Sequence, residues 1–302
     1  MPGMDRLQAM EVFVAVIDSG GFASAARKLD LSAPVVTRAV AELEARLGLR
    51  LLTRTTRSVR ATEAGARYAD DCRRILADVT SAEKAASGSS TQITGTLHVT
   101  APLLFGNLHV TPIVAEYLQR HPDVDAHCVF VDRLVNLTEE GLDVAVRIGE
   151  LPDSSLHAVR VGQVRRLLVA TPAYLAQYGT PQRPEDLASH ALIQPVSASP
   201  YPEWRFADGD RPLVQRISPR LRTTTNDAAR TAALAGVGIA RLLSYQVAGE
   251  LPSGALVPLL QSFETPPLPV HVVHHEGRQA TRKVRAFVDL AVAALRANPA
   301  LR

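Results

Sequence analysis

One stretch constrains this chain more than any other: Phe22 to Arg60, reading FASAARKLDLSAPVVTRAVAELEARLGLRLLTRTTRSVR. Phe22 to Leu29 predicts a short helix whose small residues Ala23, Ala25 and Ala26 permit close helix approach. Asp30 sits at the break, and Asp tolerates the left-handed backbone that a tight turn needs. Ser32 is placed as an N-cap and Pro34 falls in the next helix's first turn, where a missing N–H costs little. That helix continues through Val35, Val36, Val40, Leu43 and Leu47, and Gly48 stops it. Residues 49–61 then alternate as two strands around a turn loaded with Arg54, Thr55, Thr56, Arg57 and Ser58. Two helices at a tight break, followed by a basic hairpin, predict a helix-turn-helix with a wing.

In such a unit the second helix projects its first turns into a major groove while the first helix crosses the backbone. Ser32, Ala33, Pro34, Thr37 and Arg38 form the leading end. Arg38 is the side chain there able to hold guanine through two hydrogen bonds; a phosphate contact or a plain surface charge fits it equally well. Arg54, Thr55 and Arg57 suit phosphate contact or entry into a minor groove. The net charge of +3 is too small for a whole-molecule attraction. Its distribution is more informative. Residues 27–60 hold eight basic and three acidic side chains, whereas 87–302 hold twenty and nineteen.

Around this unit the pattern stays helical. Leu7, Met10, Val14 and Ile17 make one apolar stripe over residues 5–19. Thr62 is placed to cap a helix reaching about Ala86, roughly 36 Å long at 1.5 Å per residue. Its apolar positions Ala64, Tyr68, Cys72, Ile75, Val79, Ala82 and Ala86 step by three and four, close to a coiled-coil seam. A rod with one narrow apolar stripe predicts pairing with a second copy, with Cys72 inside the seam. Residues 87–94 (SGSSTQIT) read as a flexible linker. The two cysteines, Cys72 and Cys128, form no disulfide framework and no CxxC, so both are expected reduced, with Cys128 in a core strand. No targeting pattern opens the chain, and no apolar run approaches the roughly 18 residues of a membrane span, so a soluble, cytoplasmic protein without a membrane partner is expected.

Beyond residue 95 strands and helices alternate, which predicts an α/β domain. Strands are expected at Leu97–Thr100, Val124–Val131, Asp143–Ile148, Val164–Ala170, Ala191–Gln194, Ile239–Leu243 and Val270–His274. Helices are expected within Pro102–Arg120 and at Leu134–Glu140, Pro172–Tyr178, Asp227–Ala235 and Arg282–Leu295. No internal repeat is visible.

Residues 4–86 resemble the DNA-binding region of the LysR-type transcriptional regulators, on the stretch FASAARKLDLSAPVVTRAVAELEARLGLRLLTRTTRSVRATEAG and the helix after it. The remainder resembles that family's effector domain, of the periplasmic-binding-protein type (type II), on LHVTAPLLFG, DVAVRIG, LLVATPAYL, TTNDAARTAALAGVGIARL and KVRAFVDL. The resemblance implies a winged helix-turn-helix over residues 1–61, a linker and dimerisation helix over 62–88 and an effector-binding domain over 89–302. Within that domain it implies one lobe of about 95–164 and 268–302, a second of about 165–267, and crossovers near Gly162–Arg166 and Thr265–Val270. It further implies a dimer of dimers on double-stranded promoter DNA, contact with RNA polymerase, and a small-molecule effector, anionic or aromatic, in the cleft. It carries DNA contact onto Ala33, Pro34, Thr37, Arg38 and Arg54. Family members often have glutamine where Ala33 stands, so one base-reading amide is missing here. The implied effector residues are Thr100, Ala101, Pro102, Asp132, Arg133, Arg147, Gly149, Val196 and Asn226. Strand ends and helix N-termini are natural anion sites. Taken from the residues alone, Arg147 fits an ion pair as well as an anion, and Thr100 fits a helix cap.

Other chemistry is poorly supported. Gly236–Gly238 lacks the third glycine of a dinucleotide loop, since Arg241 stands in its place. His271, His274, His275 and Glu276 carry metal-ligand side chains, but His274 and His275 point to opposite faces of a strand. No catalytic residue, metal ligand or resident cofactor is assigned, and no GxSxG, P-loop or HExxH occurs. Two competing readings remain. One is a small-molecule-binding or enzymatic α/β protein with an accessory basic domain. The other is a sequence-neutral architectural DNA binder.

Overall fold

The computed structural model describes residues 4–54, 59–86, 93–151, 156–196, 202–275 and 281–302. The chain divides into two compact units, Met1–Thr96 and Leu97–Arg302.

The first unit contains α1 (Arg6–Asp18), α2 (Phe22–Lys28), α3 (Ala33–Leu47), β1 (Leu52–Arg54), β2 (Val59–Ala61) and α4 (Glu63–Ala86). Asp30 takes a left-handed φ of 54°, and Gly48 closes α3 at φ 68°. Val36, Ala39, Val40 and Leu43 lie on one buried face of α3 and pack against Val12, Phe13 and Val16 of α1. That spacing is the helical period, so the opposite face is left to solvent. Ser32 occupies the N-cap position of α3, but its hydroxyl makes no capping hydrogen bond. Thr62 does cap α4, its Oγ1 accepting the Gly65 N–H at 2.9 Å. A Cβ at Gly65 would stand 1.9 Å from the Leu51 carbonyl oxygen, so glycine lets α4 seat directly on the wing.

The apolar stripe of α4 behaves differently from the expected seam. Ala69 and Cys72 are fully buried in this unit's own core, with Tyr68 packed beside them and its ring 5.7 Å from Phe13. Arg73 pairs with Asp18 of α1 at 2.6 Å. The first three turns of the stripe are therefore intramolecular core, because α1 supplies the complementary apolar face. Ile75, the next seam position, is exposed.

The second unit is built on two five-stranded sheets. The first has the order β4-β3-β5-β14-β6, from β3 (Gly95–Ala101), β4 (Val124–Phe130), β5 (Val144–Ile148), β6 (His157–Val164) and β14 (Leu268–His274). The second has the order β11-β8-β12-β7-β13, from β7 (Arg166–Ala170), β8 (Leu192–Pro195), β11 (Leu221–Thr223), β12 (Ile239–Leu243) and β13 (Val257–Leu259). β9 (Glu203–Asp208) and β10 (Arg211–Arg216) form a separate antiparallel hairpin. The helices are α5 (Leu103–Phe105), α6 (Thr111–Arg120), α7 (Pro172–Tyr178), α8 (Asn226–Leu234), α9 (Glu250–Ser253) and α10 (Arg282–Ala297). The chain passes from one sheet to the other at Arg165 and returns before Leu268. Arg165 and Glu264 form a two-point ion pair, with both N–O distances 2.9 Å, which ties the outgoing segment to the returning one.

Several local expectations change. Leu134–Glu140 is no helix: Asn136 Oδ1 accepts the Thr138 and Glu139 N–H groups, and this side-chain turn competes with a helical ladder. The run 164–170 is two strands in different sheets, broken at Arg165. β6, β9, β10, β11 and β13 are additional strands: β9 does alternate, with Trp204 and Phe206 buried between polar neighbours, whereas β6, β10, β11 and β13 have few buried positions to mark them. Between α5 and α6, Gly106–Val110 winds as a π-helical turn. A Cβ at Gly106 would lie 2.3 Å from the Phe130 ring, so glycine lets this turn pack directly against Phe130. Cys128 is half-buried on β4, a strand at the edge of its sheet, and not a core residue. Glu276 and most of the linker at 87–94 lie outside the described residues.

Candidate nucleic-acid interface and ligand cavity

The exposed face of α3 begins with Ser32, Ala33, Pro34 and Arg38, all exposed, with Thr37 half-buried between them. Burial of Val36, Ala39 and Val40 forces this set outward. Arg38 Nε lies 3.9 Å from Glu42 Oε1, and the Arg38 side chain is 76% exposed. So loose an exposed pair adds little stability, and the guanidinium is free to be redirected. Arg54 ends β1 opposite Val59. Thr55 and Arg57 lie outside the described residues. Sequence reasoning counted Glu44 only as a negative charge. The structure gives it a structural role: its Oε1 accepts the Leu51 and Leu52 N–H groups at 2.7 and 3.0 Å, fixing the wing to α3.

In the second unit a cavity of about 300 Å³ opens between the two sheets. Pro102, Asp132, Arg133, Arg147 and Asn226, five of the expected effector residues, line it. Asp132 Oδ1 accepts the Leu103 N–H at 2.9 Å, and Asn226 Nδ2 reaches Asp132 Oδ2 at 3.5 Å. Arg133 holds Glu140 through two hydrogen bonds of 2.6 and 2.7 Å. Arg147 donates from Nη2 to the Val135 carbonyl at 2.7 Å, and burial pulls its pKa down.

Four expected residues stand elsewhere. Thr100 and Ala101 are completely buried, because β3 is flanked by β4 and β5 and its last residues continue into the core. Thr100 Oγ1 has no hydrogen-bond partner among the described residues and caps no helix there. Gly149 turns away at φ 113° after β5, its N–H bonded to the Pro269 carbonyl. Val196 is exposed, outside the cavity lining, and its N–H is taken by Thr223.

The second sheet supplies what the sequence reading missed. Arg166 of β7 and Arg241 of β12 reach the cavity, with Gln194, Trp204, Tyr245 and Gln246. Arg241 donates to the Arg205 carbonyl at 2.7 Å and lies 5.7 Å from the centre of the Phe206 ring. Burial, with help from Arg166 and Arg205, pulls its pKa down to about 10. Burial pushes the Tyr245 phenol up, so it stays a neutral hydrogen-bonding group. The site can therefore bind and orient a small molecule. Among the described residues it shows no nucleophile activated by a base.

Comparison with known proteins gives both units one reading. Residues 7–66 match the model for bacterial regulatory helix-turn-helix proteins of the lysR family, and residues 90–296 match the LysR substrate binding domain. An HTH-type transcriptional repressor of Pseudomonas aeruginosa is 32% identical, covering 98% of this chain and 94% of the relative. The HTH-type transcriptional activator AaeR of Escherichia coli K12 is also 32% identical, covering 95% and 93%. The solved structure of CrgA, a LysR-type transcriptional regulator from Neisseria meningitidis, is 31% identical and superposes with a TM-score of 0.61, covering 98% of this chain and all of CrgA. No described helix is long and apolar enough to cross a membrane. With both halves matched in order, the chain belongs to the LysR family of bacterial transcriptional regulators.

Proposed function

We propose that α3 and the wing bind double-stranded promoter DNA through Ser32, Ala33, Pro34, Thr37, Arg38, Arg54, Thr55 and Arg57, and that a small anionic or aromatic effector in the inter-sheet cavity sets when they do so. Residues 1–61 then form the DNA-binding domain, 62–88 the pairing helix and 89–302 the effector-binding domain. The effector is held by Pro102, Asp132, Arg133, Arg147 and Asn226 together with side chains of the second sheet. One observation carries this: a cavity between two sheets, lined by half-buried arginines, inside the region that matches a substrate-binding domain. The protein works as a dimer of dimers, paired through the part of α4 beyond Cys72, where Ile75 is left exposed. Two major-groove entries then fall about 34 Å apart on one face of the duplex. RNA polymerase is the partner that converts promoter occupancy into transcript output.

The test is a footprinting titration on the promoter of an adjacent gene. Arg38→Ala should weaken specific binding at least fivefold, with the thermal unfolding of the full chain unchanged, since one good bidentate base contact is worth about 1–3 kcal/mol. Unchanged footprint affinity in the stable variant would refute the assignment of α3. Equal affinity for promoter and random DNA at matched salt would show a sequence-neutral binder instead.

A further inference from the structure

The cavity contains more positive charge than its own carboxylates neutralise. We propose that its ligand is a dianion, a compact dicarboxylate with an apolar body, held by Arg147 of the first sheet at one end and by Arg166 and Arg241 of the second sheet at the other. This deepens the reading of the cavity as the effector site and rests on it.

Arg147 stands on β5 and has no carboxylate within ion-pair distance among the described residues. Glu140 attracts it from nearby, but both oxygens of Glu140 are engaged by Arg133. The opposite pole follows from strand register. Arg166 pairs with Leu243, and Leu168 with Arg241. Directly opposite residues share a face of the sheet, so Arg166 and Arg241 are diagonal neighbours on one face. Arg241 is anchored along one side by the Arg205 carbonyl and the Phe206 ring. Arg166 has no hydrogen-bond or ion-pair partner among the described residues, and burial and Arg205 together depress its pKa.

Two half-buried guanidiniums side by side are unfavourable unless an anion joins them. The cavity's own acids are committed elsewhere. Asp132 holds the Leu103 N–H, and Glu203 Oε1 lies 3.8 Å from Arg205. Trp204 and Tyr245 supply apolar surface to the same cavity, and Leu134, 93% exposed, stands at its rim. A volume of about 300 Å³ is at the small end for ligand sites, which fits a single ring or a short chain between the two charges.

Trp204 lines the cavity and is the chain's single tryptophan, so its emission reports occupancy directly. The probes are terephthalate, isophthalate and adipate, each beside its monomethyl ester, titrated into the full-length protein. The expected result is that at least one diacid changes Trp204 emission with a Kd at least tenfold below that of its ester, and that Arg166→Gln and Arg241→Gln erase the gap. An ester as tight as its diacid, no response to any diacid, or a gap that survives both substitutions would each overturn the proposal. If a substituted chain fails to fold, the diacid–ester comparison on the unaltered protein decides alone. A diacid that binds yet leaves promoter affinity unchanged supports the dianion site and refutes the regulatory reading. A monoacid that binds equally well and shifts promoter affinity does the reverse.

Discussion

Glu44 offers a sharp test of how the winged unit is held together. Its single Oε1 accepts two backbone N–H groups, from Leu51 and Leu52, whose side chains are buried. The Leu51 carbonyl in turn receives the Thr62 N–H at 2.9 Å, so α3, the wing and the start of α4 meet at one point. A hydrogen bond to a charged group contributes about 1.5–3 kcal/mol net, and an abandoned buried donor costs about 1–3 kcal/mol. Glu44→Ala removes both bonds at once. The two values overlap in what they count, so we expect a local loss of about 3 kcal/mol. Glu44→Gln keeps one acceptor oxygen but not the charge, and should lose about 1 kcal/mol.

The matching assay is native-state hydrogen exchange of the Leu51 and Leu52 amides in the full-length chain. At 1.4 kcal/mol per factor of ten, 3 kcal/mol corresponds to exchange faster by roughly two orders of magnitude, and 1 kcal/mol to about fivefold. Amides in the middle of α3, such as that of Val40, should accelerate much less. If Leu51 and Leu52 exchange at the original rate in Glu44→Ala, the carboxylate does not hold the wing, and the attribution is wrong. The DNA consequence is separable. A displaced wing should weaken promoter binding in Glu44→Ala even though Arg38 and the exposed face of α3 are intact.

Three further outcomes follow from the packing and the titrating groups. Gly106→Ala forces a methyl group against the Phe130 ring and should destabilise the second unit by about 1–3 kcal/mol, read as a lower Tm for the phase reported by Trp204. Under native alkylation Cys128 should be modified well before Cys72, which is buried and whose thiol burial pushes up to about 11; peptide mass spectrometry distinguishes the two sites. His109 is held below its ordinary pKa by burial, so the unfolded chain takes up its proton first on acidification. Its contribution to stability is therefore complete above about 6.5 and is lost as pH falls below that value. His109→Gln should flatten part of the decline in stability between pH 7 and 5 in denaturant titrations. His190 and His271, also lowered by burial, contribute to the slope in the same direction.

The first unit was readable because its signals are local. A left-handed Asp30, a Pro in the first turn of α3 and a terminal Gly48 each mark a boundary by backbone sterics alone. What failed there was partner choice. The stripe through Tyr68 and Cys72 has the same spacing whether it faces a second copy or its own α1, and only the apolar surface of Val12, Phe13 and Val16 decides between them. In the second unit the missed strands β9, β10 and β11 have mostly half-buried or exposed positions, so their pairing is set by neighbours distant in sequence.

The cavity shows the same division at the level of single side chains. Asp132, Arg147 and Asn226 were found because they end strands or begin a helix, where a ligand site is expected on topology alone. Thr100 and Ala101 were expected for the same reason and failed it, since β3 is a central strand whose tip stays covered. Arg166 and Arg241 lay in plain view, as the single charges in the strands RLLVA and IARLL. Read as strands buried on both faces, those runs should hold no charge at all, because an unpaired buried guanidinium is among the costliest groups a sheet can carry. Arg166 stands at the mouth of β7, and Arg241 in the middle of β12. A cation that persists in such a position needs an anion, a carbonyl or an opening. Arg241 has the carbonyl of Arg205, and both open on the cavity. A lone charge in an apolar strand thus carries positional information that hydrophobic patterning discards, and here it marks the second wall of the site.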